Sequence, residues 1–152
     1  MLRYVRRILE LGPQGAWDLL VLATLAAIAE FGVRFRPLPQ VARWFRVRLA
    51  GEPPLSRPWR MGPRQRRRRR IINMLTRHWP FVDHEGLCLR RSLLIGWVLH
   101  DRDPVLRIGL ARVDGEITAH AWLEVEGGEI GAGSVHRPLS FGDRDARLHD
   151  GG

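Results

Sequence analysis

Two residues in the second half of the chain have side chains that could together break an amide bond. Cys88 is the only cysteine, and it follows Gly86 at the predicted start of a helix. His120 lies in a predicted strand 32 residues later. A cysteine thiolate attacks a carbonyl carbon, and a neighbouring imidazole takes up the thiol proton and returns it to the leaving amine. We therefore consider Cys88 as a nucleophile and His120 as its general base.

Each of these residues also has a structural alternative. A single cysteine in an apolar helix commonly packs as a small core residue. A single histidine in a strand is commonly held by structural hydrogen bonds. Sequence spacing alone does not bring the two side chains together, so the residues by themselves leave both interpretations open.

A helix over Leu87 to Leu99 positions the cysteine. Its apolar residues recur with helical spacing, and Asp83 or Glu85 could cap its first turn. The N-terminus of a helix carries partial positive charge, and Arg90 and Arg91 lie close by. We expect this environment to favour the nucleophilic thiolate.

A β-hairpin positions the histidine. Asp114-Gly115 is a strong type I′ turn signal between strands at Val105 to Val113 and Ile117 to Val125, and a third short strand follows around Ile130. A two-residue turn places His120 opposite Gly109, whose small size would let the Cys88 helix approach the imidazole. The same register sets Thr118 opposite Ala111 and Trp122 opposite Arg107. The other face is predicted to be core: Leu106, Ile108, Leu110, Ala119, Ala121 and Leu123.

The first half of the chain has a helical pattern without chemistry. Ala16 to Phe35 predicts a helix that Pro37 ends, and a short basic segment follows at Val41 to Leu49. Residues 51–63 are rich in proline and glycine. We therefore predict a helical N-terminal subdomain with its linker at 1–62 and a core at 63–152, in an α+β fold. The arginine run at 66–70 is predicted to be the solvated start of another helix.

Composition limits the kinds of protein this chain can be. One cysteine excludes an intrachain disulfide framework and multi-cysteine metal sites. The six histidines have no metal-ligand spacing, so we expect no metal and no other cofactor. The net charge of +9 comes from 25 basic residues that are all arginine, which favours an acidic partner or substrate.

The arginines are not accompanied by a nucleic-acid motif or an aromatic stacking platform. A nucleic-acid-binding module with an inert cysteine is therefore the less favoured alternative.

The hydropathy pattern bears on the location of the protein. The apolar run Leu19 to Ala29 is shorter than the roughly 20 residues of a membrane span. A signal peptide is the alternative for that run, because Arg3, Arg6 and Arg7 precede it. We predict a cytoplasmic protein without stable membrane insertion.

Three ordered blocks of sequence carry a resemblance to a known family. They are Cys88-Leu89-Arg90-Arg91-Ser92-Leu93, Leu106-Arg107-Ile108-Gly109-Leu110 and Ala119-His120-Ala121-Trp122-Leu123-Glu124-Val125, followed by a Gly127-Gly128 turn. Together they resemble the core of the transglutaminase-like cysteine peptidases that act as the B protein of lasso-peptide biosynthesis. The resemblance covers about residues 79–133 and, more loosely, the helical half.

The resemblance implies a peptidase that removes the leader from a ribosomally made precursor peptide. Cys88 would be the nucleophile, His120 the general base, and backbone N–H groups at the helix start the oxyanion hole. Trp122 and Gly109 would line the substrate groove, with a core role as the alternative for Trp122.

The implied partners are the precursor peptide, a separate winged-helix leader-recognition protein and an asparagine-synthetase-like cyclase. The arginines from Arg64 to Arg70 would dock that recognition protein or an acidic leader segment. A second enzymatic alternative keeps the fold and the thioester but transfers the acyl group or deamidates an amide.

One position departs from the family. An aspartate that orients the imidazole is expected roughly where this chain has Ala132 and Gly133. Glu129 is the first candidate for this third member and Asp143 the more distant one, whereas Glu124 lies too far along the strand. A backbone carbonyl or an amide could also orient the imidazole.

Overall fold

Within the described residues, four α-helices precede a small antiparallel sheet. The computed structural model describes residues 12–49, 60–77, 86–113, 116–126, 128–131 and 137–138. The helices are α1 (Gly12–Phe35), α2 (Leu38–Trp44), α3 (Pro63–Arg77) and α4 (Leu87–Val98), and a 3₁₀ turn spans His100–Arg102. The strands are β1 (Val105–Val113), β2 (Glu116–Val125), β3 (Gly128–Ile130) and β4 (Arg137–Pro138). This order confirms the predicted α+β fold.

Helix α1 is longer than its most apolar run suggested. The prediction treated Leu19 to Ala29 as too short for a membrane span, but the helix has 24 residues and is long and apolar enough to cross a membrane by length and composition. One side of it packs into the core, with Leu22, Ala26 and Ala29 inaccessible to solvent. Gly32 allows α2 to approach, since a Cβ there would lie 3.1 Å from Val41 and Trp44.

The arginine run of α3 is only partly exposed to solvent. This corrects the prediction that the run is the solvated start of the helix. Asp18 of α1 is 2% exposed and lies against α3. Arg67 donates to its Oδ2 from Nε at 2.9 Å and from Nη2 at 2.7 Å, while the Nε of Arg68 donates to Oδ1 at 2.8 Å. Two of the five arginines therefore neutralise a buried carboxylate between the helices.

Helix α4 begins directly after Gly86, and the predicted cap by Asp83 or Glu85 stays a prediction. Gly86 is its N-cap residue and makes no side-chain cap hydrogen bond, whereas Asp83 and Glu85 lie outside the described residues. Arg90 is 8% exposed and donates to the Glu30 carboxylate on α1 and to the Gly86 carbonyl. The α4 start is thus tied to α1 through one buried arginine.

The hairpin register is the predicted one. His120 pairs with Gly109, Trp122 with Arg107 and Thr118 with Ala111. β3 was predicted around Ile130 and pairs with β2, whereas β4 was not predicted and pairs with the other edge of β1. The sheet order is therefore β3-β2-β1-β4.

The predicted core face of the hairpin holds only away from its turn. Leu106, Ala121 and Leu123 are at most 4% exposed. Leu110, in contrast, is 44% exposed and its cross-strand neighbour Ala119 is also exposed, so these two predictions were wrong. The helices cover the half of the sheet farther from the turn and leave this pair in solvent.

A single hydrophobic core joins the helical half to the sheet. It runs from Leu22 on α1 through Ile72 on α3 and Leu94 on α4 to Val125 on β2. The segment after α2 also reaches the sheet, because Leu106 donates to the Arg48 carbonyl at 2.6 Å. The division at residue 62 stays a prediction about chain organisation, and packing is continuous across it.

Candidate active site

Cys88 lies in the first turn of α4, as predicted. Its side chain is half-buried and packs against the edge of the hydrophobic core. The first turn contains no acidic residue, so no carboxylate from the helix itself offsets the partial positive charge of the helix start. The thiol at this position is only partly covered and remains accessible to a substrate.

Two contacts fix how α4 lies along the strand of His120. Ser92, one turn after Cys88, donates its hydroxyl to the Ala121 carbonyl at 3.2 Å. One turn further on, a Cβ on Gly96 would lie 3.6 Å from Leu123. Four helix residues and two strand residues both advance the chain by about 6 Å. One turn back from Ser92, Cys88 is therefore level with Ala119, the neighbour of His120 in the strand. Because side chains alternate along a strand, the imidazole of His120 lies on the face of β2 opposite to that of Leu123.

The imidazole of His120 is held by a backbone atom. Its Nε2 lies 2.7 Å from the carbonyl oxygen of Gly131. A carbonyl oxygen can only accept a hydrogen bond, so Nε2 carries the proton and donates it. Nδ1 is then the basic nitrogen of the neutral ring, which is the form a general base needs.

Gly131 presents that carbonyl because of its backbone conformation. Its φ is +88°, in the left-handed region that favours glycine. It directly follows β3, the edge strand next to β2. The sequence carries a faint signal for this turn, a glycine closing a short strand, but no side chain identifies a backbone acceptor.

Trp122 lies on the same face of β2 as His120 but is covered. It is 2% exposed, and its ring stacks with the imidazole at 6.4 Å between centroids and 18° between planes. A side chain so buried offers a substrate no open wall. The burial supports the core alternative for Trp122, in which it backs the histidine ring.

The other predicted site residues are placed around this pair. Gly109 is buried in the middle of the sheet, between His120 on β2 and Pro138 on β4. Glu129 is exposed and pairs with Glu124 across β3 and β2. Its assignment as third catalytic member stays a prediction, while the hydrogen bond at Nε2 belongs to Gly131. Ala132, Gly133 and Asp143 lie outside the described residues.

The two arginines expected to polarise the thiol have different roles. Arg90 is compensated by Glu30. Arg91 is three residues after Cys88; burial, then the charges of Arg69 and Arg77, lower the pKa of its guanidinium below its usual range. Its Nε is buried without a hydrogen-bond partner. Arg90 is therefore neutralised at the helix start, whereas the charge of Arg91 lies near the arginines of α3.

No group of three or more histidine, cysteine, aspartate or glutamate side chains is arranged to hold a metal ion within the part of the chain that the structure describes. The chemistry available at this site is that of a thiol, an imidazole and backbone dipoles. Such a set can form and hydrolyse a thioester.

The sequence matches the family described as Transglutaminase-like superfamily over residues 30–143. The match covers three quarters of the chain, and the protein belongs to this superfamily. It is a domain of the cysteine peptidase and acyltransferase type. Comparisons with curated proteins and with solved structures gave no significant match.

Proposed function

We propose that this protein is a cysteine peptidase that removes the leader from a lasso-peptide precursor. The observation that carries the proposal is the placement of Cys88 at a helix start and level with Ala119, the strand neighbour of His120, whose Nε2 proton is donated to the Gly131 carbonyl. Membership of the transglutaminase-like superfamily supports the same chemistry.

The reaction follows from this arrangement. Nδ1 of His120 accepts the thiol proton as Cys88 Sγ attacks the carbonyl carbon of the scissile peptide bond. The tetrahedral intermediate collapses as the imidazolium protonates the leaving amine. That amine is the new N-terminus of the core peptide. Water, deprotonated by the same imidazole, then hydrolyses the thioester and releases the leader with a free carboxylate.

The developing oxyanion needs donors near Cys88. We assign this role to backbone N–H groups in the first turn of α4, where Gly86 provides no side-chain cap. Arg90 helps to fix this turn, because its guanidinium binds the Gly86 carbonyl at 2.9 Å. Electrostatic stabilisation of this kind is usually the largest contribution to acyl transfer.

The lasso-precursor substrate and its partners rest on the sequence resemblance. The Cys88 helix start, the Ile108-Gly109 strand and the Ala119-to-Glu124 strand occur in the family order. A separate winged-helix protein would deliver the leader, and a cyclase would use the released amine. Since Arg67 and Arg68 bind Asp18, docking of an acidic leader or of that partner falls to the exposed arginines of the run, Arg66, Arg69 and Arg70.

Mass spectrometry of the cognate precursor peptide tests the proposal. The precursor is incubated with this protein and the leader-recognition protein, and we expect one cut at the leader–core boundary. Cys88→Ala and His120→Ala should each abolish it. His100→Ala is the matched control, because His100 is an exposed histidine that bonds the nearby Trp97 carbonyl.

The same experiment separates peptidase from acyltransferase activity, since both pass through the Cys88 thioester. A primary amine is added in a second set of reactions, and the mass of the leader fragment is measured. A free carboxylate on the leader supports hydrolysis, and an amide to the added amine supports acyl transfer. If the precursor stays intact after incubation with the folded protein and the leader-recognition protein, the peptidase proposal is contradicted.

A further inference from the structure

One face of α1 exposes large apolar side chains to solvent although the opposite face is core. Trp17 is 64% exposed, Phe31 53% and Phe35 66%. Leu20 and Ile28 lie between them and are 59% and 41% exposed. These five residues, spaced three, four or eight apart, form a stripe about 27 Å long that we call the α1 apolar face. Trp44 of α2, 42% exposed, packs beside it at Gly32.

The α1 apolar face carries no negative charge. Asp18 and Glu30 are the acidic residues of α1, and both side chains are turned toward the neighbouring helices. Asp18 is bound by two arginines of α3, and Glu30 is bound by Arg90 and Arg34. The one hydroxyl within the stripe, on Thr24, donates to the Leu20 carbonyl at 3.0 Å. The face can therefore enter an apolar environment without stranding a polar group.

Cations border the face at both ends. Arg34, Arg36 and Arg43 are exposed next to Phe35 and Trp44. At the other end, Trp17 and Arg64 line the same cleft between α1 and α3. Positive charge is also concentrated in the half of the chain that contains α1. Residues 1–77 contain 17 arginines and four acidic residues, whereas residues 78–152 contain eight arginines and twelve acidic residues.

We propose that the α1 apolar face binds the surface of an anionic lipid bilayer. A helix with tryptophan and phenylalanine on one face and arginines at its borders lies in the interface plane, where aromatic rings sit at headgroup level and arginines meet anionic lipids. The helix does not leave the fold to span the membrane, because its other side is core and holds the Asp18 ion pairs. The protein is thereby a peripheral membrane protein.

Vesicle flotation tests this proposal independently of catalysis. The whole protein is mixed with phosphatidylcholine vesicles that contain or lack one quarter phosphatidylglycerol, at low and high salt. We expect flotation with the anionic vesicles, little with the neutral ones, and loss of binding at high salt because screening shortens electrostatic reach from about 10 Å at 0.1 M to about 3 Å at 1 M.

Two sets of variants localise the binding. Phe31→Ser with Phe35→Ser should lower the partition coefficient by about tenfold or more, since exposed side chains that insert into lipid are removed. Arg36→Glu with Arg43→Glu should weaken binding to anionic vesicles alone. Leu110→Ser is the matched control, because it removes a 44% exposed apolar side chain from the hairpin. Circular dichroism melting checks that each variant is folded.

Several outcomes would overturn the proposal. These are failure of the wild-type protein to float with anionic vesicles, equal flotation with neutral vesicles, or wild-type binding by the Phe31/Phe35 variant. Light scattering adds another: self-association in the absence of lipid that the Phe31/Phe35 variant abolishes would assign the face to a second copy of this chain. Because Cys88→Ala should float like the wild type, the result does not depend on the peptidase assignment.

Discussion

The Ser92 hydroxyl donates a hydrogen bond to the Ala121 carbonyl at 3.2 Å and joins the helix of Cys88 to the strand of His120. Ser92 is 4% exposed, so this bond is shielded from water. It lies one helical turn from the thiol and one residue from the imidazole. Ser92 is therefore a positioning residue for the proposed catalytic pair.

We predict that Ser92→Ala separates positioning from stability. Loss of one buried hydrogen bond should cost about 1 kcal/mol in the free energy of unfolding, measured by urea titration. Because small displacements of a nucleophile are costly, kcat for precursor cleavage should fall about tenfold with KM nearly unchanged. Thr24→Ala, which removes an exposed hydroxyl bonded within its own helix, is the control and should change neither. A normal kcat in a destabilised Ser92→Ala protein would show that this bond does not position the site.

We predict that Gly131→Ala impairs catalysis through the imidazole. At a φ of +88° an alanine is strained, so the carbonyl that accepts from Nε2 should move. Cleavage should slow by about tenfold or more as the ring loses its fixed tautomer, and alkylation of Cys88 by iodoacetamide should slow with it. Gly128→Ala, in the preceding strand β3, is the matched control, because its Cβ would make an ordinary contact of 3.5 Å with the Val125 carbonyl. Equal rates for the two variants would argue against the Gly131 carbonyl as orienter.

We predict that Asp18→Asn is strongly destabilising. It would remove the charge that compensates Arg67 and Arg68 between α1 and α3, and breaking a buried ion pair from one side costs about 3 kcal/mol or more. Urea titration measures the loss. Asp101→Asn, which affects an exposed pair with Arg102 at 3.5 Å, should leave stability nearly unchanged, because water screens this pair. Similar values for both variants would mean that the Asp18 cluster contributes no more than a surface pair.

The same carboxylate predicts a dependence of stability on pH. Burial alone would raise the pKa of Asp18, but hydrogen bonds and charge from Arg67 and Arg68 outweigh it and hold the pKa below its usual 3.8. A lowered pKa in the folded state means that the stabilisation is fully present above about pH 4 and is lost as the pH falls further. Urea midpoints between pH 3 and pH 7 measure this. The difference between the wild type and Asp18→Asn should shrink below pH 4, and a difference constant with pH would contradict the assignment.

Much of the site could be predicted because its signals are local. The turn predicted at Asp114-Gly115 implies which residues of β1 and β2 face each other, and the observed pairing of His120 with Gly109 agrees with that count along the chain. Likewise, helical periodicity after Gly86 places Cys88 in a first turn. Both features depend on neighbours within a few residues.

Other features depend on partners far apart in the chain. The ion pairs of Asp18 join residues about 50 positions apart, and the arginine run gave no sign of which members would turn inward. The Gly131 carbonyl is a backbone atom, which every residue has, so its role at Nε2 appears only when β3 lies beside β2. Trp122 is a further example. Strand alternation predicts that it shares a face with His120, but its burial depends on tertiary packing.

The sequence by itself determined the order of elements, the hairpin register and the residue types that can do thiol chemistry, because periodicity and turn preferences act over short stretches of chain. Tertiary structure alone decided which charges are buried, which backbone atom orients the imidazole and which side of α1 stays in solvent. These depend on how helices pack across the sheet, and a helix as apolar all round as α1 carries no local signal of which side will be covered.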